Sequence, residues 1–219
     1  AGLPASQYLA LGSGFVVKYS VGVGTAGGGT VDGYSDLKAR VIVKRGSTVI
    51  SEFQDAEFVG VTAGQSYTFD ASPYLKDATA YTVQVEAQAT YQGGTLMKTA
   101  TAKVTMVAMT LETTYSVGNG LADGGYRNDV NIPFTAKGTS GEKNIYYRVN
   151  GGQAFTLGLS AGSGVQQKNV TIPLTQMQEG TNVVEAYAQH ENSGVVSQVH
   201  YITLLKAGGG VTAYAGMMF

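Results

Sequence analysis

Ser160 and the two histidines are the residues with which this chain could do nucleophilic chemistry. Ser160 lies in the run Gly158-Leu159-Ser160-Ala161-Gly162, which spells the GxSxG pattern of a hydrolase nucleophile elbow. Such an elbow needs a helix directly after the serine and a histidine later in the chain as the base. Strand-forming sequence stands on both sides of Ser160, and His190 and His200 both fall in one later hairpin. We therefore predict no catalytic residue and no enzymatic activity.

A glycine-rich run near the start of the chain could instead bind a phosphate group. The run Gly22-Val23-Gly24-Thr25-Ala26-Gly27 matches the GxGxxG dinucleotide fingerprint and follows a predicted strand. The fingerprint works by placing a pyrophosphate at the N-terminus of a helix. The following run, Gly28-Gly29-Thr30-Val31-Asp32-Gly33, cannot begin a helix. We predict a loop here, and no nucleotide cofactor.

The two histidines do not form a metal site in the predicted pairing of their hairpin. With a turn near Ser193, His190 faces Val196 and His200 faces Ala186, which separates the two rings by several residues. The chain has no cysteine that could complete a zinc site. We predict surface or edge histidines and no zinc.

Two acidic turns, at residues 32–36 and 123–129, offer carboxylates for calcium. Neither has the ordered ligand spacing of a calcium-binding loop. Aspartate and glycine are also the residues that tight turns select for backbone reasons. We predict turns without a metal ion, with calcium as the lesser alternative.

Fourteen tyrosines and no tryptophan make aromatic contacts the remaining candidate chemistry. Tyrosine is favoured at protein interfaces, whereas sugar platforms more often use tryptophan. Tyr146 and Tyr187 alternate to the face opposite their apolar neighbours, so we predict that they are contact residues.

Residues 80–91 carry the clearest sign of the elements that position these side chains. Tyr81, Val83, Val85, Ala87, Ala89 and Tyr91 fall on one side of an alternating segment, and polar residues fall on the other. Side chains alternate with period two along a strand, so the segment predicts a half-buried strand. Its first tyrosine, Tyr81, is predicted to be a buried structural residue of a β-sandwich.

Asn150-Gly151, between two strand-forming runs, predicts a two-residue hairpin turn with positive φ at both positions. Both residues are therefore structural. The turn pairs Val149 with Gly152 and Tyr147 with Ala154.

Strand-like segments recur every 8 to 14 residues, seven in each half of the chain, which is the immunoglobulin-like number. We predict an all-β fold of two tandem immunoglobulin-like (fibronectin III-like) antiparallel β-sandwiches, at 1–107 and 108–206. We expect residues 207–219 to form a glycine hinge and an apolar tail, either the start of a truncated element or a docked strand. The junction near Val107 has no flexible linker, which predicts a stiff connection.

The run Leu75-Lys76-Asp77-Ala78-Thr79-Ala80-Tyr81-Thr82-Val83-Gln84-Val85 resembles the fibronectin type III pattern, in which the tyrosine closes the connection between sheets. The run Glu179-Gly180-Thr181-Asn182-Val183-Val184 is similar to that of bacterial immunoglobulin-like domains. The pair resembles tandem modules in tail or surface proteins of gut Bacteroidales and their phages. This resemblance implies a non-catalytic segment of a larger extracellular, cell-surface or virion protein.

Composition is consistent with that role. Charged residues make up 13% of the chain and the net charge is −1, so nothing attracts nucleic acid or an anionic membrane. No run reaches the length of a membrane helix, and we expect no membrane insertion. The expected partners are other domains of the parent protein. The alternative is a module that binds a glycan or a peptide through exposed tyrosines or an open sheet edge. Its partner would then be a glycan or a host surface protein.

Overall fold

The computed structural model describes residues 7–24, 29, 31–50, 57–115, 125–159 and 164–208. The described residues separate into two compact units, which we call unit 1 (within residues 1–108) and unit 2 (within residues 109–219). Within these ranges, no helical segment has the length and hydropathy needed to span a bilayer.

Unit 1 is built from strands and one short 3-10 turn. Its described strands are β1 (Gln7–Ala10), β2 (Val16–Ser20), β3 (Tyr34–Arg45), β4 (Thr48–Val49), β5 (Val59–Gly60), β6 (Ser66–Asp70), β7 (Ala80–Tyr91) and β8 (Gly94–Val107). The larger sheet has the order β1-β8-β7-β3-β4, with β5 also paired to β3, and the smaller sheet pairs β2 with β6. All pairings are antiparallel except that of β1 with β8.

The core of unit 1 lies between its two sheets. Alternate residues of each strand point inward, and the buried cluster takes Phe15 and Val17 from the smaller sheet's side. The larger sheet contributes Val41, Val43, Val83, Val85, Ala102, Val104 and Met106. This is the two-sheet arrangement of an immunoglobulin-like sandwich.

Unit 2 repeats this plan. Its described strands are β9 (Met109–Thr113), β10 (Val130–Gly138), β11 (Lys143–Val149), β12 (Phe155–Leu159), β13 (Val165–Ile172), β14 (Gly180–His190), β15 (Val195–Val196) and β16 (His200–Lys206). One sheet has the order β13-β10-β9, and the other has the order β12-β11-β14-β15, with β16 also paired to β14. The faces that point inward are mostly apolar: Leu111, Ile132, Phe134 and Ile172 in the first sheet, and Ile145, Val184, Ile202 and Leu204 in the second.

Three details of pairing differ from the sequence prediction. Strand β1 was not anticipated, because only its parallel pairing with Val104–Val107 holds four residues extended. Tyr147 pairs with Phe155 rather than Ala154, since the non-strand residues 152–154 shift the register by one. His190 pairs with Val195 rather than Val196, and the shift is absorbed before β16, where His200 pairs with Ala186 as predicted.

Candidate functional site

The outward face of the β12-β11-β14-β16 sheet carries a group of aromatic residues of unit 2. Along β14, inward residues such as Ala186 and Ala188 are buried, while the residues between them point outward. The same alternation along β11 and β16 places three tyrosines on this side: Tyr146, Tyr187 and Tyr201. We call these tyrosines, with Arg148 and Glu185, the outer-face patch.

Tyr146 and Tyr187 lie directly opposite each other in the register of β11 and β14. Their rings stack with centroids 5.4 Å apart and planes inclined by 17°. The Tyr146 hydroxyl donates to Glu191 Oε1 at 3.2 Å. Partial burial, followed by this contact with Glu191, raises the pKa of Tyr146 above its usual value. The two predicted contact residues therefore form one half-buried pair on the sheet surface.

Tyr201 was not singled out from the sequence, although it is the most exposed aromatic residue of the patch, with 68% of its surface accessible. It faces Glu185 across β14 and β16. Glu185 in turn accepts a hydrogen bond from Arg148 Nε, and the two side chains form an ion pair. The alternation of the strand could have predicted this exposure. Tyr201 stands next to the apolar residue Ile202, whose side chain is buried, so Tyr201 points to the opposite face.

The predicted structural residues of unit 1 and of the hairpin lie as follows. Tyr81 is 2% exposed, and its hydroxyl accepts the Asp77 N–H at 2.9 Å. Asn150 and Gly151 have φ values of 49° and 68°. These are the positive angles that a two-residue hairpin turn of this kind requires.

Asn182, which lies in the Gly180-Thr181-Asn182 run, is a fully buried polar residue of unit 2. Its Oδ1 accepts Asn150 Nδ2 at 2.8 Å and the Gln178 N–H at 2.9 Å. Its Nδ2 donates to the carbonyls of Gln178 (2.8 Å) and Gly180 (3.0 Å). Every hydrogen-bonding position of this amide is used, which is the condition for burying it at low cost.

The prediction of a surface or edge histidine is wrong for His190, whose side chain is fully buried. Its Nε2 lies 3.1 Å from the Ser140 carbonyl oxygen, and its Nδ1 lies 3.0 Å from Ser193 Oγ. His200 contacts the Leu111 carbonyl oxygen through Nε2. Both rings are thus engaged with oxygens of the fold, in keeping with structural roles.

Lys143, the register partner of His190, is also fully buried. Its Nζ donates to the Gly141 carbonyl oxygen at 3.0 Å. Burial lowers the pKa of Lys143. A buried lysine beside a buried histidine is a polar core feature that the strand pattern alone would not predict.

Most of the remaining candidate site residues either lie outside the described residues or belong to turns. Ser160, residues 25–27 of the glycine run, and Asp123 lie outside the described residues. Asp129 Oδ1 accepts the Leu174 N–H at 2.8 Å, which ties two segments of unit 2 together. Among the residues that the structure describes, no group of three or more His, Cys, Asp or Glu side chains could hold a metal ion.

Comparison with known proteins returned structural neighbours only. No family model matches the chain, and no curated protein matches it. Similar solved structures include fibronectin(III)-like modules of CbhA from Clostridium thermocellum (14% identity, 97% of this chain and 96% of that chain covered, TM-score 0.32). A tetra-tandem repeat in the extending region of a large adhesion protein gives 14% identity, covers 90% and 50%, and has a TM-score of 0.40. A titin A168–169 structure gives 15% identity, covers 95% and 97%, and has a TM-score of 0.33.

Strand order and core together define the class of protein. The chain is all-β, and its antiparallel sheets are of the immunoglobulin-like, fibronectin III-like kind. In chemical terms, the outer-face patch offers stacked phenol rings, hydroxyl groups and an Arg–Glu pair. Such a surface can hydrogen-bond and pack against a ligand.

Proposed function

We propose that the chain is a non-catalytic structural and adhesion segment of a larger extracellular protein, in which it spaces or docks other domains. The finer form of this proposal is a stiff pair of modules, at 1–107 and 108–206, in a tail or surface protein of gut Bacteroidales or their phages. Its location would then be extracellular, on a cell surface or in a virion, and its partners would be the neighbouring domains of the parent protein.

The observation that carries the proposal is the parallel pairing of β1 with β8 in unit 1. The chain enters the unit through β1 and leaves it through β8, with Gln7 opposite Val104 and Ala10 opposite Val107. The Leu11 N–H continues the ladder by donating to the Val107 carbonyl at 2.8 Å. Tension on the two ends pulls such strands along each other, so their hydrogen bonds share the force. An antiparallel pair pulled at its open end would lose its bonds one at a time.

Unit 2 has a smaller contact of the same kind at its exit strand. Tyr126 bridges Lys206 in parallel orientation. The Tyr126 N–H donates to the Leu205 carbonyl at 2.7 Å, and the Ala207 N–H donates to the Tyr126 carbonyl at 3.0 Å. A segment that spaces domains under tension would use both contacts.

Single-molecule stretching of the chain between handles at its two ends tests this proposal. We expect two unfolding events, one for each unit. Leu9→Pro should lower the unfolding force of unit 1, because Leu9 alternates with Leu11 and points its N–H at β8. Leu9→Ala, which keeps the N–H, is the matched control. Equal unfolding forces for the two variants, or a single gradual extension of the wild type, would contradict a force-transmitting role.

The outer-face patch favours a second candidate function, the docking of a glycan or an extended peptide on unit 2. Its support is the stacked Tyr146–Tyr187 pair beside the exposed Tyr201. Titration of the labelled chain with a glycan library and a peptide library, read by NMR shifts, tests it. Shifts confined to the patch and abolished by Tyr201→Ala would support docking. No shift with any library member would count against it.

A further inference from the structure

Strand β8 of unit 1 has a long edge that none of the described strands covers. Its register partners on that side are β1 residues, which pair only with Val104–Val107. On its other side, β8 pairs with β7 from Gly94 to Thr105. The edge from Thr95 to Lys103 therefore lacks a partner strand among the described residues.

The hairpin register identifies which backbone groups this edge presents. Gln92 and Gly93 form a two-residue turn with φ values of 48° and 78°, so Tyr91 and Gly94 make the closing hydrogen-bonded pair. Hydrogen-bonded pairs alternate from there. Even-numbered β8 residues thus bond to β7, and odd-numbered ones point their N–H and C=O groups to the free edge. The outward bond from Leu11 to the Val107 carbonyl fits this alternation.

The free edge is also exposed and partly apolar. Residues 94–101 are all exposed, with Leu96 46% and Met97 61% accessible. Leu96, Met97 and Lys98 border a cavity of about 400 Å³, whose other lining residues are mostly apolar and include Val21, Val23, Leu37, Ala87 and Ala89. An added strand would find backbone partners along β8 and an apolar recess for alternate side chains, which is the usual basis of strand addition.

Charge argues against a second copy of β8 itself as the occupant. Residues 94–107 contain two lysines, Lys98 and Lys103, and no acidic residue. Antiparallel pairing of two β8 edges would bring the four lysines together without a carboxylate. Lysines on an edge strand oppose such self-pairing.

We propose that the β8 edge binds residues 211–219 of a second copy of this chain as an added strand. This segment, Val211-Thr212-Ala213-Tyr214-Ala215-Gly216-Met217-Met218-Phe219, is uncharged and has nine residues. The edge from Thr95 to Lys103 is also nine residues long. In an added strand, one face would carry Val211, Ala213, Ala215, Met217 and Phe219, which suits the recess.

The geometry of unit 2 favours a second copy over the same chain as the source. Met109, where unit 2 begins, pairs with Gly138 at one end of β10. Lys206 Nζ donates to the carbonyls of Leu174 and Met177, next to the opposite end of β10, where Val130 pairs with Ile172. At about 3.3 Å per residue, nine-residue β10 spans roughly 26 Å. Gly208, the last residue that the structure describes, follows Lys206 and therefore lies at the end of unit 2 remote from Met109.

Analytical ultracentrifugation of the full chain over a concentration series tests the proposal. The wild type should form head-to-tail oligomers, because the edge and the segment are different surfaces. Thr99→Pro, which removes an outward N–H, and Ala215→Pro, which interrupts the segment, should each weaken association about tenfold or more. Thr99→Ala and Ala215→Ser keep the N–H groups and should associate like the wild type.

Mixing the two proline variants gives the decisive result. The Thr99→Pro chain keeps an intact segment and the Ala215→Pro chain keeps an intact edge, so the mixture should form a 1:1 dimer and nothing larger. A mixture that stays monomeric, or proline variants that associate like the wild type, would overturn the proposal.

Hydrogen exchange provides a readout that holds even if Thr99→Pro fails to fold. In concentrated wild-type protein, the amides of Thr95, Met97, Thr99 and Thr101 should be protected, and in Ala215→Pro they should exchange rapidly. Protection that persists in Ala215→Pro would mean that another segment, such as residues 1–6, covers the edge. Protection in a wild type that stays monomeric would mean the same chain supplies the strand. Either result would refute binding of a second copy.

Discussion

The hydroxyl group of Tyr81 and the backbone of Asp77 bond to each other in both directions. Tyr81 Oη accepts the Asp77 N–H at 2.9 Å and donates to the Asp77 carbonyl oxygen at 3.2 Å. In unit 2, Asn182 makes the same reciprocal contact with Gln178, at 2.9 Å and 2.8 Å. In both units the side chain lies near the start of a long central strand, and its partner lies four residues earlier.

The segments before these contacts are also alike. A 3-10 turn, Ser72–Tyr74 in unit 1 and Leu174–Gln176 in unit 2, is followed by an apolar residue that is 3% exposed. That residue is Leu75 in the first case and Met177 in the second. The two units thus close the same connection between sheets, one with a phenol and the other with an amide.

Tyr81→Phe should lower the free energy of unfolding of unit 1 by about 1 kcal/mol or more, since it leaves the Asp77 N–H without its acceptor. Tyr187→Phe is the control and should change unit 2 little, because the ring keeps its stacking on Tyr146. Denaturant unfolding followed by unit-specific NMR signals measures both. Equal losses would show that the two hydroxyl groups are equivalent.

Asn182→Ala should destabilise unit 2 more strongly, by about 3 kcal/mol, because several groups bonded to this buried amide lose their partners at once. These include the Gln178 N–H and the Asn150 amide. Asn131→Ala, which removes an exposed amide that accepts one bond from Thr171, is the control and should cost less than about 1 kcal/mol. A similar cost for both substitutions would argue against the closing role of Asn182.

Gly125→Ala should damage unit 2 through a clash as well as through its backbone angle. Gly125 has a φ of +107°, and an added Cβ would stand 2.8 Å from Ala207 N and from Leu205 O. We expect a loss of about 3 kcal/mol or more in the free energy of unfolding. Gly12 has a similar φ of +90° and open space around it, so Gly12→Ala should cost only about 1–2 kcal/mol. Thermal unfolding of the two variants should separate the cost of the clash from the cost of the backbone angle. Equal shifts in melting temperature would show that the clash does not contribute to the loss of stability.

Local pattern predicted the elements that are held by local rules. The alternation of residues 80–91 predicted a strand with the same bounds as β7, and the Asn150-Gly151 turn follows from backbone angles alone. Strand β1 depends on a parallel partner almost 100 residues away, which no window of sequence contains.

The burial of polar residues in unit 2 could not be predicted, for the same physical reason. His190 can be buried because its Nε2 has a partner 50 residues earlier in the chain, the Ser140 carbonyl oxygen at 3.1 Å. Tyr146 and Tyr187 could be assigned to an outward face from alternation, but their mutual stacking depends on the register between β11 and β14. The alternation along one strand predicts the face on which a residue lies, whereas its neighbours on that face depend on how distant strands pair.

Lys143 gives unit 2 a pH dependence whose sign follows from its burial. Burial lowers the pKa of Lys143 in the folded protein below the ordinary value of 10.5. Between the folded and unfolded pKa values, the unfolded chain holds a proton that the folded chain has released. The free energy of unfolding contributed by this group therefore rises with pH across that window, and its penalty is largest below the folded pKa.

Lys143→Met, which keeps most of the side-chain volume and removes the charge, should lose this rise. The informative quantity is the free energy of unfolding of the wild type minus that of the variant, measured by denaturant unfolding from neutral to alkaline pH. This difference cancels the tyrosines, whose raised pKa values, as for Tyr146 and Tyr115, make stability fall at alkaline pH. The difference should increase toward pH 10.5, and a flat or falling difference would show that the folded protein keeps Lys143 charged at little cost.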